Sequence, residues 1–566
     1  MRWANGRFTG ATPWPHYAAL ALLVALTCGL YLPFLDNPLV FDDRTFFSGK
    51  HFAYYAMHPL GVLPRTPAYF SLAVTHVLSE RIEAHRLVSL AFHLAVALLL
   101  CRFIYDLLRT VRSGGAPAQE QLQASRAALC ALAGAGAFAL HPVAVYGAAY
   151  LVQRSTVSAT LFGLLSLWLF LHALRRDRYA LSLGAAACYA LAVFSKEHAI
   201  LLAAVALPLA WLVGANLRRS IRHLAAYFAV CAPAAVFVVL MSRQLIGQAY
   251  EPHIADIQAQ LESGVGHESG ALSWPLSAAT QMGLFLRYLA VWFWPDTSAQ
   301  SIDWRVDFFA SASPGWIVLK LAAFAACGAL AALLVRRRGR AGMAGLGLLY
   351  AWTLFLVELS VIRFQEPFAL YRSYLWAPGF AIMLAAALDC LGRRTALAAF
   401  ALAAPFLMFQ AHDRLSTFAS PLRLWEDAVA KLPPDPVPWG SRVLYNLGRE
   451  YLYARQPGQA IATVERCMTE YPGTFQCVYA RGAIHHQMGQ FELARTYFER
   501  AAAIEPGNGI VQHRIGMTLE KLGRTEEAKQ RYRRASALGF RGGNLELSRL
   551  GEAGTAPIGR GAKASP

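Results

Sequence analysis

The sequence predicts an all-α protein, a polytopic membrane helical bundle of about 11 spans followed by an α-solenoid. Three observations predict it. Apolar runs of near-membrane length recur before residue 413, arginines gather in every second connection between them, and a helix–turn–helix pattern then repeats every 34 residues. Composition agrees: of 566 residues, 56% are hydrophobic and 15% charged, with mean hydropathy +0.37. That balance excludes a disordered chain and an ordinary soluble globule alike. A net charge of +18 would suggest nucleic acid on a soluble protein. Here the question is which side of a bilayer the cations occupy, and no nucleic-acid partner is expected.

The apolar runs fall near 17–34, 86–105, 127–141, 152–174, 180–195, 199–217, 223–242, 315–335, 342–362, 374–391 and 395–411. Each approaches the ~20 residues that a membrane-spanning helix needs. Alternate short connections carry Arg2 and Arg7; Arg102, Arg109, Arg112 and Arg126; Arg175, Arg176 and Arg178; Arg218, Arg219 and Arg222; Arg336, Arg337, Arg338 and Arg340; Arg393 and Arg394. The positive-inside rule makes these connections cytoplasmic. The expected protein therefore lies in the plasma (inner) membrane with a cytoplasmic N-terminus, and eleven spans leave its C-terminal repeats periplasmic. The first run lacks a small-residue cleavage site and reads as a retained anchor. Residues 276–294 are also apolar, but counting them as a span would put the Arg336–Arg340 cluster outside. With Arg287 and the closing Trp292-Phe293-Trp294-Pro295, they read as a re-entrant or interfacial helix on the outer face. The membrane domain is thus 1–413, with long outer loops at 35–85 and 243–314.

Beyond Asp413, Gly448, Gly482 and Gly516 are spaced by 34 residues. Ala460, Ala494 and Ala528 follow twelve residues after each, then Val464, Phe498 and Tyr532, and Pro472 and Pro506 close the first two units. This is the tetratricopeptide period, in which stacked helix pairs cover apolar faces that none covers alone. The repeats occupy 421–540, as units 441–474, 475–508 and 509–540 behind a partial leading helix at 421–432. The Gly/Ala/Ser/Pro-rich tail, 541–566, reads as disordered. Seven cysteines are scattered through apolar segments and no Cys-x-x-Cys pair occurs. Cys467 and Cys477 lie in the soluble region and read either as two packed thiols or as a disulfide in an oxidising compartment.

Four groups flank apolar runs on the expected outer face, where charge near lipid is costly. Phe41-Asp42-Asp43-Arg44 pairs two carboxylates whose repulsion suits one of them to general-base work; the plain alternative is a solvated turn. His141-Pro142 precedes Tyr150, Gln153 and Arg154, where Arg154 either meets an anion or snorkels. Ser195-Lys196-Glu197-His198 joins two spans almost without a loop, and its lysine suits a lipid phosphate or a structural ion pair. Arg363 with Glu366, Arg372, Tyr374, Pro378 and Gly379 sets an arginine at headgroup depth. A Gly-rich phosphate loop, metal-ligand spacing and a nucleophile elbow are all absent from the sequence.

In this order, Asp-Asp, His-Pro-Val with Tyr-Leu-Val-Gln-Arg, Ser-Lys-Glu, Arg-Ser-Tyr-Leu with Pro-Gly, and then tetratricopeptide repeats, the chain resembles the transmembrane and tetratricopeptide-repeat O-mannosyltransferases and their bacterial relatives. Arg287-Tyr288-Leu289 before Trp294-Pro295 is similar to that family's outer-loop helix. The resemblance implies a GT-C-like fold and transfer of a sugar from a polyprenyl-phosphate donor to a Ser/Thr hydroxyl of an exported protein. It implies Asp42 or Asp43 as general base, Lys196 and Arg372 on the donor phosphate, and Arg154 and His141 lining the same cleft, with Glu197 and Tyr374 beside them. Tyr146 stands where relatives often carry Glu. The implied partners are the lipid-linked sugar, an exported protein acceptor held by the repeats, and the bilayer. No cofactor is indicated, although the acidic pair could bind a divalent metal. Two other readings compete: a GT-C transferase with a glycan or lipid acceptor, and a non-catalytic membrane-anchored scaffold. A transporter ranks last.

Overall fold

A computed structural model describes residues 14–48, 51–59, 61, 63–112, 117–214, 216–243, 269–306, 313–363 and 366–552. Arg2, Arg7, residues 244–268 and 307–312 of the expected outer loop, and the tail from 553 lie outside them. The chain divides into two units, Met1–Pro421 and Leu422–Pro566.

The first unit begins with α1 (Trp14–Tyr31) and continues through three short helices, α2 (Asp42–Ser48), α3 (His51–Met57) and α4 (Thr66–Leu78). Then come α5 (Ile82–Val111), α6 (Pro117–Ala139), α7 (Pro142–Ala148), α8 (Arg154–Arg176), α9 (Tyr179–Ser195) and α10 (Ala206–Val213). The rest of the unit is α11 (Leu217–Ser242), α12 (Ser269–Phe293), α13 (Pro314–Arg336), α14 (Gly339–Phe355), α15 (Pro378–Leu388) and α16 (Arg393–Thr417).

All eleven apolar runs are helical; among the described residues seven helices are long and apolar enough to cross a membrane, or eight if the pair α6–α7 is one span bent by 64°. The other three runs, Tyr179–Ser195, Glu197–Val213 and Pro378–Leu388, are built as shorter helices. The breaks between these helices have local causes. Pro142 forces one: it has no N–H to donate, and its predecessor His141 is extended (φ −72°, ψ 135°) and caps α7 by accepting the Val143 N–H on Nδ1 at 3.2 Å. Lys196, at φ −156° and ψ 119°, makes another, ending α9 before a tight 3₁₀ stretch over Glu197–Val205. The bundle closes tightly where α14 meets α15: a Cβ on Gly347 would strike the Gly379 carbonyl, and one on Gly379 the Gly347 carbonyl.

Two charged clusters mark opposite ends of α5. Arg86 in its first turns donates to the carbonyls of Asn37, Ala149 and Pro38 at 2.7, 2.7 and 2.6 Å. Arg112 at its far end pairs with buried Asp389 at 2.7 Å, joined there by Arg340 at 2.8 Å and Arg126 at 3.6 Å. At 1.5 Å per residue Arg86 and Arg112 stand about 39 Å apart along the axis, and arginines from two of the arginine-bearing connections meet at Asp389.

In the second unit, α17 (Pro421–Ala430) leads three helix pairs: α18 (Gly440–Tyr453) with α19 (Pro457–Glu470), α20 (Phe475–Gln487) with α21 (Phe491–Ile504), and α22 (Gly509–Lys521) with α23 (Thr525–Ala537). The repeated glycines have a packing cause. A Cβ on Gly448 would come within 2.7 Å of Val464, one on Gly482 within 2.7 Å of Phe498, and one on Gly516 within 2.6 Å of Tyr532. Each glycine lets the first helix of a pair sit directly on the large side chain of the second. Cys467 and Cys477 are disulfide-bonded, with Cα atoms 6.0 Å apart, so the alternative of two packed thiols does not hold. The expected disorder from 541 is corrected as well. Residues Arg541–Arg549 form α24, because Leu547 is buried against the last repeat.

Candidate functional site

Helix α12 builds one wall of the site. Five of its side chains, Trp274, Ser277, Gln281, Tyr288 and Trp292, follow a helical period and so share a face. That face holds the segment between Leu359 and Ser373. Trp274 donates to the Leu359 carbonyl at 3.0 Å, Ser277 Oγ accepts the Arg363 N–H at 2.8 Å, and Gln281 donates to the Pro367 carbonyl at 2.8 Å. Tyr288 both donates to and accepts from Ala369, at 3.0 and 2.9 Å, and Trp292 donates to Ser373 Oγ at 3.0 Å. Arg287 lies 4.0 Å over the Trp304 ring and 5.3 Å over Phe368. The described residues on either side of 364–365 are thereby held, Arg363 and Arg372 among them.

Those arginines enter a buried charge network. Glu358, 1% exposed, sits 3.3 Å from Arg363, 3.6 Å from Arg372 and 3.3 Å from His198. Arg372 also donates to the Glu366 carbonyl at 2.8 Å and lies 3.5 Å from its carboxylate. Arg65, at the N-terminus of α4 with φ +68°, grips Glu197 with two contacts at 2.7 and 3.3 Å, and His198 lies 3.5 Å from the same carboxylate. Lys196 stands among Arg65, Arg363 and Arg372, 6% exposed. No hydrogen bond or ion pair reaches its Nζ from the described residues. Among the described residues four cations here meet three carboxylates; burial, then the neighbouring Arg65, push the Lys196 amine down to about 7 against the pull of Glu197. A buried, uncompensated ammonium is costly unless something anionic joins it.

From this cluster a polar path leads to the acidic pair. Glu366 accepts the Tyr371 hydroxyl at 2.8 Å, the Tyr371 ring meets Tyr150 edge-on at 5.9 Å, and the Tyr150 hydroxyl accepts the Asp42 N–H at 3.2 Å. Asp42 opens α2 after Phe41, whose φ is +49°, and its side chain is exposed. Asp43 is fully buried; its two carboxylate oxygens accept the N–H groups of Val152 and Leu151 at 2.8 and 3.2 Å. Burial pushes the Asp43 carboxyl up to about 7, against the pull of those N–H groups and of Arg86.

The remaining expected residues have other surroundings. The Arg154 guanidinium is buried and donates to Ser89, Thr75 and the His85 carbonyl at 3.1, 3.2 and 2.6 Å, tying α8 to α4 and α5. His141 caps α7 and stacks on Trp292 at 4.3 Å. Tyr374 is fully buried beneath Gly147 and bonds His93 at 2.7 Å. Tyr371, three residues earlier, takes the place in the cluster expected for Tyr374. Tyr146 packs edge-on against Phe418 at 5.5 Å. Sequence reasoning missed Glu358 and Arg65. A carboxylate inside the apolar run 342–362 was a signal for the first, whereas nothing around Arg65 singles it out. Among the described residues no group of three or more His, Cys, Asp or Glu side chains gathers where it could hold a metal ion.

Residues 475–508 and 511–538 match the tetratricopeptide repeat family. The helix pairs α20–α21 and α22–α23 are tetratricopeptide repeats. No curated protein matches the chain. Solved structures similar to parts of it include MamA AMB-1, 24% identical over 21% of this chain and 68% of that one, with a TM-score of 0.19. Another is the archaeal oligosaccharyltransferase AglB from Archaeoglobus fulgidus, solved with an inhibitory peptide and a dolichol-phosphate. It is 16% identical over 81% of this chain and 60% of that one, with a TM-score of 0.38. The Cut9–Hcn1 assembly is 11% identical over 89% and 86%, with a TM-score of 0.22.

Proposed function

We propose that the protein is a GT-C-like membrane glycosyltransferase that moves one sugar from a polyprenyl phosphate to a Ser/Thr hydroxyl of an exported protein. The observation that supports this reading is the buried Lys196 amine, without an ion pair among the described residues, beside Arg372 in a cluster whose Glu366 holds Tyr371, with Tyr371 against Tyr150 and the Tyr150 hydroxyl on the N–H of the exposed Asp42. A phosphate monoanion or dianion supplies the missing negative charge. Its lipid tail needs the bilayer that the apolar helices provide.

In the proposed reaction the hydroxyl oxygen attacks the anomeric carbon and its proton passes to Asp42. The bond from that carbon to the phosphate oxygen breaks, and polyprenyl phosphate leaves. Attack opposite the leaving group inverts the anomeric configuration. Lys196 and Arg372 stabilise the charge growing on the phosphate, which is stronger in the transition state than in the bound donor. Asp43 acts differently from its neighbour: with both oxygens on the Leu151 and Val152 N–H groups it is a positioning residue that fixes the α2 turn and hence Asp42. The disulfide favours an oxidising, extracytoplasmic side for the repeats.

The test is sugar transfer by the purified protein in bilayer nanodiscs, from a polyprenyl-phosphate sugar to exported-protein peptides. Asp42→Asn is expected to lower kcat by about 10²–10⁴-fold with the donor KM little changed. Lys196→Ala is expected to raise the donor KM, with partial recovery in Lys196→Arg. Full transfer by folded Asp42→Asn protein would remove the catalytic assignment.

A further inference from the structure

At the far end of α5 one carboxylate is surrounded by more cations than it can neutralise. Asp389 directly follows α15 and its side chain is fully buried. Its Oδ1 lies 2.7 Å from Arg112, the residue that follows α5, and its Oδ2 accepts the Nε–H of Arg340, in the first turn of α14, at 2.8 Å. Arg126 stands 3.6 Å from Oδ1 and donates to two backbone carbonyls, those of Asp389 at 2.6 Å and of Leu391. Among the described residues no second carboxylate pairs with any of the three arginines. Three positive charges thus meet one negative charge, and two are left over. The Arg112 side chain is 11% exposed and that of Arg126 26%. The Nη1 of Arg112 and the Nε of Arg126 are buried atoms without a hydrogen-bond acceptor among the described residues. Arg126 and Arg340 both repel the Arg112 charge. Guanidiniums crowded in this way are destabilising unless a further anion joins them.

Arg340 is 44% exposed, so the cluster opens to its surroundings on that side. Its depth in the bilayer decides what can reach it. Both α5 and α14 are long and apolar enough to cross a membrane, and the cluster sits at an end of each. Two residues before Arg340, Arg338 lies 5.2 Å over the ring of Trp211, which is itself 48% exposed. An exposed indole beside an arginine is a pairing typical of the headgroup layer. Phosphate is the anion of that layer, and a guanidinium fork binds it through two parallel hydrogen bonds.

We propose that the Asp389 cluster binds a phosphate group, presented by an anionic phospholipid of the leaflet it borders. The phosphate oxygens accept from Arg112 Nη1 and from the exposed Arg340 guanidinium, while Asp389 keeps the arginines in place. Basic pockets between helix ends take lipid headgroups by this match of charge and depth. Arg112 stands about 39 Å along α5 from Arg86, which lies beside Asp43. The bound lipid is therefore not the sugar donor, and the inference stands whether or not the chain transfers sugar.

Native mass spectrometry of the full-length protein in uncharged detergent reads lipid binding directly, in about 0.15 M ammonium acetate so that exposed charges are screened. Phosphatidylglycerol and phosphatidylcholine with the same acyl chains are titrated in turn. One phosphatidylglycerol is expected to bind roughly ten-fold tighter than phosphatidylcholine. Arg340→Gln should weaken that binding about five-fold, and the fold should persist because Asp389 keeps Arg112 and Arg126. Asp389→Asn removes the competing carboxylate and should tighten binding, an effect that a purely structural ion cluster does not produce. Arg218→Gln/Arg222→Gln removes exposed charge from another connection of the same expected face and should leave binding unchanged. Equal retention of the two lipids, or equal loss in the Arg340→Gln and Arg218→Gln/Arg222→Gln proteins, would overturn the proposal. Displacement of the lipid by millimolar inorganic phosphate would overturn the lipid as the source of the phosphate.

Discussion

Between Phe41 and Arg44 the chain turns so that one aspartate faces out and the next is sealed inside, which gives the two adjacent carboxylates separate duties. Asp43 titrates in a way its variant can reveal. Its folded value of about 7 exceeds the ordinary 3.8, so the folded protein keeps a proton that the unfolded chain has already released. The stability tied to that proton is complete below about pH 4 and is lost as pH rises through about 7. The thermal midpoint of the wild-type protein should therefore decline between those limits more steeply than that of Asp43→Asn. Parallel curves would refute the burial argument. Adjacency in sequence indicated a perturbed pair but not which member is perturbed, because burial depends on Val152, Leu151 and Arg86, all distant in the chain. For the same reason the motifs of Arg154 and His141 do not disclose their contacts with Thr75, Ser89 and Trp292, which come from distant parts of the chain.

Helix α12 shows how an element can be recognised while its job is hidden. The sequence marks 276–294 as apolar and aromatic-ended, yet the helix carries a stripe of hydrogen bonds made mostly to backbone groups of the facing segment, invisible to any pattern of side chains. Tyr288→Phe removes a donor and an acceptor facing Ala369, three residues before Arg372. It should cost about 1–3 kcal/mol of stability and raise the donor KM by roughly ten-fold with kcat less affected. An unchanged KM would separate this wall from donor binding. In the repeats the legibility is greater, since the 34-residue glycine period reports a local contact within each helix pair. Gly482→Val should overpack against Phe498 and destabilise the repeat unit by about 1–3 kcal/mol, seen as faster limited proteolysis there. Wild-type resistance would contradict the packing assignment.

Across the whole molecule, apolar runs and arginines gave the helical bundle its places but not the lengths of its helices, because an apolar run does not record where the backbone breaks. Pro142 and Lys196 stand at the ends of two of them, and the second of these breaks lies in the charge network. The helix breaks thus bring polar groups together at one end of the bundle, about 39 Å along α5 from the arginines around Asp389. The account requires that the Asp42–Lys196 end face the extracytoplasmic side and act there on exported protein. Its most direct measurement is the intact mass of exported proteins from cells carrying the wild-type gene, no gene, or Asp42→Asn. Wild-type cells should show proteins heavier by one sugar, with that increment missing from the other two. Identical masses in all three would contradict glycosyl transfer by this chain.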